Sequence, residues 1–60
     1  MIQVGDLVEP IFGHYNAGFT AVVLKIVDKD YCIVRFSSPK VKHKEQLRTI
    51  ANLIKLKYQS

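Results

Sequence analysis

Phe19-Thr20-Ala21-Val22-Val23-Leu24-Lys25-Ile26-Val27, then Asp28-Lys29-Asp30, then Tyr31-Cys32-Ile33-Val34-Arg35-Phe36, is the stretch that decides the fold. Its first run is rich in β-branched residues, and the period-two alternation of a strand sets Thr20, Val22, Leu24 and Ile26 opposite Phe19, Ala21, Val23, Lys25 and Val27. Asp28-Lys29-Asp30 supplies turn chemistry, because an aspartate side chain can accept hydrogen bonds from the backbone just ahead of it. Two β-rich runs around such a turn predict a hairpin with Cys32, Val34 and Phe36 facing inward. The first run is apolar on both faces, so one side needs cover, which further strands supply most simply by closing into a small barrel.

Upstream, Gly5-Asp6 reads as a turn before one short strand around Leu7 and Val8, which ends near Pro10 because proline cannot donate to a ladder. Ile11 to Gly18 is a loop, punctuated by Gly13, Asn16 and Gly18 and carrying Phe12, His14 and Tyr15. Downstream, Ser37-Ser38-Pro39 is a turn, and the alternation Lys40-Val41-Lys42-His43-Lys44 predicts an extended strand. On it the three lysines share one face and Val41 and His43 the other, which makes His43 a half-buried structural side chain rather than a ligand or base. Glu45-Gln46-Leu47 suits a single tight turn with Leu47 plugging an end of the barrel, and Arg48-Thr49-Ile50 a final strand. The tail from Ala51 to Ser60 fits a short helix through Ile50, Leu53 and Ile54, or a strand in which Ile54, Leu56 and Tyr58 alternate with Lys55 and Lys57; the strand is preferred. The organisation expected is a small β-barrel over residues 1–50 and a tail over 51–60 that packs on the barrel or on a partner subunit, giving a possible homodimer.

Sixty residues make one small domain, which buries only roughly 60% of the surface of its unfolded chain and has no room for a deep private active site. A hydrophobic content of 48% is that of a folding chain. Charge is unevenly distributed. Residues 31–60 carry Arg35, Lys40, Lys42, Lys44, Arg48, Lys55 and Lys57 against Glu45, a net +6, whereas Lys25 and Lys29 against Asp6, Glu9, Asp28 and Asp30 leave residues 1–30 at −2. This polarity points to an anionic partner.

Cys32 is the single cysteine, so there is no internal disulfide, and a zinc site would have to recruit His14, His43 and a carboxylate; no metal or cofactor is expected. Between apolar neighbours, Cys32 reads as a small core residue rather than a nucleophile. The carboxylates sit in turns or beside polar residues without convergence, so no catalytic residue is assigned and no enzyme is expected. A homotetramer built around a shared pore is the one enzymatic alternative. No stretch approaches the roughly 18 apolar residues of a membrane span, and Asp6 and Glu9 interrupt any leader-like run, so the expectation is a cytoplasmic protein with no membrane partner.

Val4-Gly5-Asp6-Leu7-Val8, the loop to Gly18, the hairpin Ala21 to Phe36 and the closing His43-Lys44-Glu45-Gln46-Leu47-Arg48-Thr49-Ile50 together resemble the Src-homology-3-like small barrels. Within them, Tyr31 to Phe36 followed by Leu47 and Ile50 is similar to the electron-transport accessory barrels, and the chain also resembles short phage-encoded barrels and those of ribosomal and elongation proteins. It departs from the ribosomal type in that the glycine expected early in the second strand stands at Gly18. The resemblance implies an all-β, five-stranded barrel and a non-catalytic docking role.

The expected function is binding of an anionic macromolecule (DNA, RNA or an acidic protein), with nucleic acid or nucleoprotein preferred. Lys40, Lys42 and Lys44 would supply the field with Arg35 and Arg48, and Phe12, His14 and Tyr15 the local contacts. The plainer readings are an edge strand guarded by lysines and aromatics folded back over the barrel. A protein-docking or inhibitory accessory subunit bound to an acidic protein is the alternative function.

Overall fold

β3 (Tyr31–Phe36) shows why these residues make a sheet: Cys32, Val34 and Phe36 are buried while Tyr31 and Arg35 are exposed, the alternation of a strand with one dry face. A computed structural model describes residues 1–56. In it β1 (Leu7–Pro10), β2 (Ala21–Ile26), β3, β4 (Glu45–Thr49) and β5 (Leu53–Lys55) form one antiparallel sheet in the order β4-β3-β2-β1-β5. The only helical element among these residues is a 3-10 turn, Ile50–Asn52, between β4 and β5. The fold is all-β, and no helix is long and apolar enough to cross a membrane.

The hairpin of β2 and β3 is as expected. Asp28 Oδ1 accepts from the N–H groups of Asp30 at 2.8 Å and Tyr31 at 3.0 Å, which closes the turn. One register shift lies between Val23 and Lys25, where Leu24 is the extra residue of a bulge. Beyond it the inward alternation lapses: Ala21 and Val23 are buried, but Leu24, Ile26 and Val27 are exposed.

The core is Val8, Ala21, Val23, Cys32, Val34, Phe36, Val41 and Leu53, with Ile2, Phe19 and Ile50 against it. Among the described residues no helix or second sheet covers this face, and Val41 enters the core from the connection after β3. Burial pushes the Cys32 thiol pKa up. Of the two forms open to the tail, Leu53–Lys55 is strand, paired antiparallel with β1 through Pro10↔Leu53 and Val8↔Lys55. The continuation of that alternation to Lys57 and Tyr58 lies outside the described residues.

Three expectations are corrected. Lys40 to Lys44 is not a strand but an irregular connection, and within it Val41 is buried while His43 is exposed. Glu45-Gln46-Leu47 is not a tight turn but the first part of β4, and Ile50 leaves the strand for the 3-10 turn. Leu47 plugs nothing: it lies on the outer face, 62% exposed. The reason is that β4 reverses the usual pattern. Its residues opposite Val34 and Cys32, on the inner face, are Gln46 and Arg48, and its apolar residue faces out opposite Ile33.

Phe36→Ala should cost about 3–5 kcal/mol, as for other buried aromatics cut to alanine. At about 0.05–0.15 kcal/mol of net stability per residue, that is enough to unfold much of a chain this short, and urea titration followed by circular dichroism will show it. A second expectation concerns Asp6, whose carboxylate accepts from the Gln3 N–H at 2.7 Å and lies 3.3 Å from the Lys55 ammonium. The Gln3 bond first, and Lys55 after it, hold its pKa below the ordinary carboxylate value against a smaller desolvation effect. The stabilisation is therefore complete above the unfolded-state pKa and is lost as pH falls through the lowered folded-state value. Asp6→Asn should flatten the acid limb of stability against pH and leave the alkaline limb unchanged.

Candidate functional site

Loop 11–18 is held by its own turns. The N–H groups of His14, Ala17 and Phe19 each donate at 3.1 Å to the carbonyl three residues back, on Ile11, His14 and Asn16. The third residue of each turn, Gly13, Asn16 or Gly18, has a positive φ, 91°, 65° and 89° in turn, as type II turns require. Asn16 tolerates this better than most side chains. A loop so constrained presents its aromatics to solvent: Phe12 is 98% and Tyr15 69% exposed, and His14 is exposed beside them. The plainer reading, in which these rings fold back over the sheet, does not hold.

The connection from Ser37 to Lys44 is organised by Ser38. Its Oγ accepts from the Lys40 N–H at 3.1 Å, and its carbonyl accepts from the Val41 N–H at 3.2 Å and from the Lys44 ammonium at 2.8 Å. Lys44 donates also to the Val41 carbonyl, so its charge closes the loop that it was expected to leave. Lys40 and Lys42 are exposed, and neither has a carboxylate within ion-pair distance among the described residues.

Arg35 and Arg48 differ as well. Arg35 lies on the outer face, 3.3 Å from Glu45 directly across the strands, in an exposed pair worth at most about 1 kcal/mol. Arg48 is half-buried on the inner face. Its guanidinium donates to the Tyr15 carbonyl at 2.7 Å, to Asn16 Oδ1 at 3.3 Å and twice to Gln46 Oε1 at 3.0 and 2.8 Å, and lies 5.4 Å from the centroid of Phe36. Burial lowers its pKa, and the Tyr15 phenol opposes this. It stays charged at any working pH.

Gln46 joins the two loops, its Nε2 donating to the His43 carbonyl at 2.8 Å and to Asn16 Oδ1 at 3.2 Å. The sheet therefore brings the Lys40–Lys42–His43 connection and the Tyr15 side of the aromatic loop to one end of β4, although 30 residues separate Gln46 from Asn16. Gln46 and Asn16 are the residues that sequence reading missed. Their only signal was Gln46-x-Arg48 at the spacing of one strand face. On its other side, Phe12 walls a groove of about 450 Å³ with Pro10, Gly13, Ala17, Gly18 and Ile54, and Glu9 is its one titratable group.

Arg48→Ala should destabilise the fold by about 1.5–3 kcal/mol, the range for hydrogen bonds to a charged group, and should quicken amide exchange at Ala17 and Phe19. Arg48→Lys should recover little, because an ammonium cannot reproduce the planar fork on Tyr15, Asn16 and Gln46. Denaturant titration and hydrogen exchange measure both. No protein-family model matches the sequence, and a search of curated proteins finds no relative of it.

Proposed function

We propose that this chain is a non-enzymatic binding module that docks on an anionic macromolecule in the cytoplasm, with DNA, RNA or a nucleoprotein complex preferred to an acidic protein. The observation that carries the reading is the bridge at Gln46, which ties the connection bearing Lys40 and Lys42, through the His43 carbonyl, to the loop bearing Tyr15, through Asn16 Oδ1. Lys40 and Lys42 contribute charge to phosphates, and Tyr15 and Phe12 offer faces on which unpaired bases stack. Lys44, Arg48 and Arg35 serve differently: the first two lock the loops, and Arg35 is screened by Glu45. The functional surface is thus two loops held by β4, not a basic strand.

The strand order, with a 3-10 turn carrying β4 into β5, supports reading the sheet as a Src-homology-3-like barrel. That architecture fits a docking role but does not choose the partner. The groove beside Phe12 favours a second reading, the protein-docking accessory subunit, because its walls are apolar and suit a peptide segment.

Fluorescence anisotropy with a single-stranded oligonucleotide tests the first reading. Binding should weaken steeply with salt and show little sequence preference, since counterion release drives it. Lys40→Ala with Lys42→Ala should lower the salt slope by about 1 per lysine, and Tyr15→Ala should cost about 1–3 kcal/mol at unchanged slope. Absence of binding at low salt, together with recovery of one stoichiometric protein from a nuclease-treated lysate through the Phe12 groove, would transfer the assignment to the second.

A further inference from the structure

β4 is an edge strand, and its ladder leaves one side open. The Phe36 N–H donates to the Lys44 carbonyl at 2.7 Å and the Ile50 N–H to the Asp30 carbonyl at 2.8 Å, which fixes the phase of its pairing with β3. Residues 44, 46, 48 and 50 turn their backbone groups toward β3, so Glu45, Leu47 and Thr49 turn theirs away. Among the described residues no strand pairs with that side, and apart from the Thr49 carbonyl, which takes the first bond of the 3-10 turn Ile50–Asn52, the backbone groups of these three residues have no partner. Glu45–Thr49 contains no proline, lysine or bulge; its charges are Glu45, paired with Arg35, and the inward Arg48, whose guanidinium is held by Tyr15, Asn16 and Gln46 rather than aimed at the open side. Leu47 stands at its middle, exposed, opposite Ile33 and near the exposed Tyr31.

We infer that this edge pairs antiparallel with β4 of a second copy, about a two-fold axis that sets Leu47 against Leu47. β4 is self-complementary in one register, which is what commits the edge to a second copy, and its charges choose that register. An antiparallel two-fold pair keeps each face continuous, so its axis must pass through a residue. Through Gln46 it would oppose Lys44 to Arg48, and through Arg48 it would oppose two guanidiniums. Through Leu47 it opposes Glu45 to Thr49 and Gln46 to Arg48, with no like charges directly across, and makes one apolar row from Ile33 and Leu47 of one copy to Leu47 and Ile33 of the other. Glu45, Leu47 and Thr49 then exchange backbone bonds between the copies, the Thr49 carbonyl through its second lone pair. The interface lies at the sheet edge opposite β5, and the oligonucleotide reading stands or falls separately.

Sedimentation velocity on the full chain over a concentration series tests this. The wild-type chain should sediment as a dimer at the upper end, and Leu47→Lys and Leu47→Glu should each sediment as monomers with an unchanged circular dichroism spectrum. Because residue 47 meets its own copy, an equimolar mixture of these two variants should regain the dimer. Leu47→Pro removes a donor that β3 does not use and should also give a folded monomer. A wild-type chain that stays monomeric throughout would overturn the proposal and leave the edge to a strand of another protein. A dimer that persists in Leu47→Lys would overturn it too, and would move the contact to another surface such as the tail.

Discussion

A single five-stranded sheet must keep one face dry with its own side chains and with those of the segments that fold back on it. Everything else in the molecule follows from that requirement. Cys32, Val34 and Phe36 give β3 the longest dry row, and β2 and β1 add Ala21, Val23 and Val8 to it. These are small residues apart from Phe36, and they pack closely around it. Val41 completes the core from outside the ladder, and it does so because Ser38 and Lys44 fold the connecting chain back on itself.

The inner face does not remain apolar to its edge. On β4 it ends in Gln46 and Arg48, whose polar groups are met by Asn16, Tyr15 and His43 rather than by water alone. A partly buried guanidinium is costly unless its donors are matched, and here three separate acceptors share them. The same matching ties two loops to one strand. The exposed Lys40 and Lys42 take no part in these bonds.

Legibility in the sequence followed the strength of the local pattern. The β2–β3 hairpin could be read because β-branched alternation on both sides of Asp28 coincides with real turn chemistry, and β1 because Pro10 limits how far its ladder extends. Lys40 to Lys44 misled because five alternating residues are equally compatible with an irregular segment that buries a single valine. The deciding bonds there come from Ser38, which no periodicity reveals. The first part of β4, Glu45 to Leu47, was hidden for the opposite reason: with Gln46 inward and Leu47 outward its hydropathy is inverted, and only pairing with β3 extends the expected Arg48–Thr49 strand back to it. Of the residues expected to meet a partner, Phe12, His14, Tyr15, Lys40 and Lys42 are exposed, whereas Lys44 and Arg48 were indistinguishable in sequence from free cations. The partners of Lys44 are backbone carbonyls, which every residue carries, and those of Arg48 include the Tyr15 carbonyl and the Asn16 amide, more than 30 residues away.

The complete enclosure of Cys32 has a practical corollary. Its sulfur has no exposed surface, and desolvation disfavours the thiolate, so an alkylating reagent meets it only in conformations where β3 has parted from its neighbours. As the single thiol of the chain it is a built-in gauge: the rate of its modification under native conditions, compared with that of an unstructured thiol, measures how often the molecule opens.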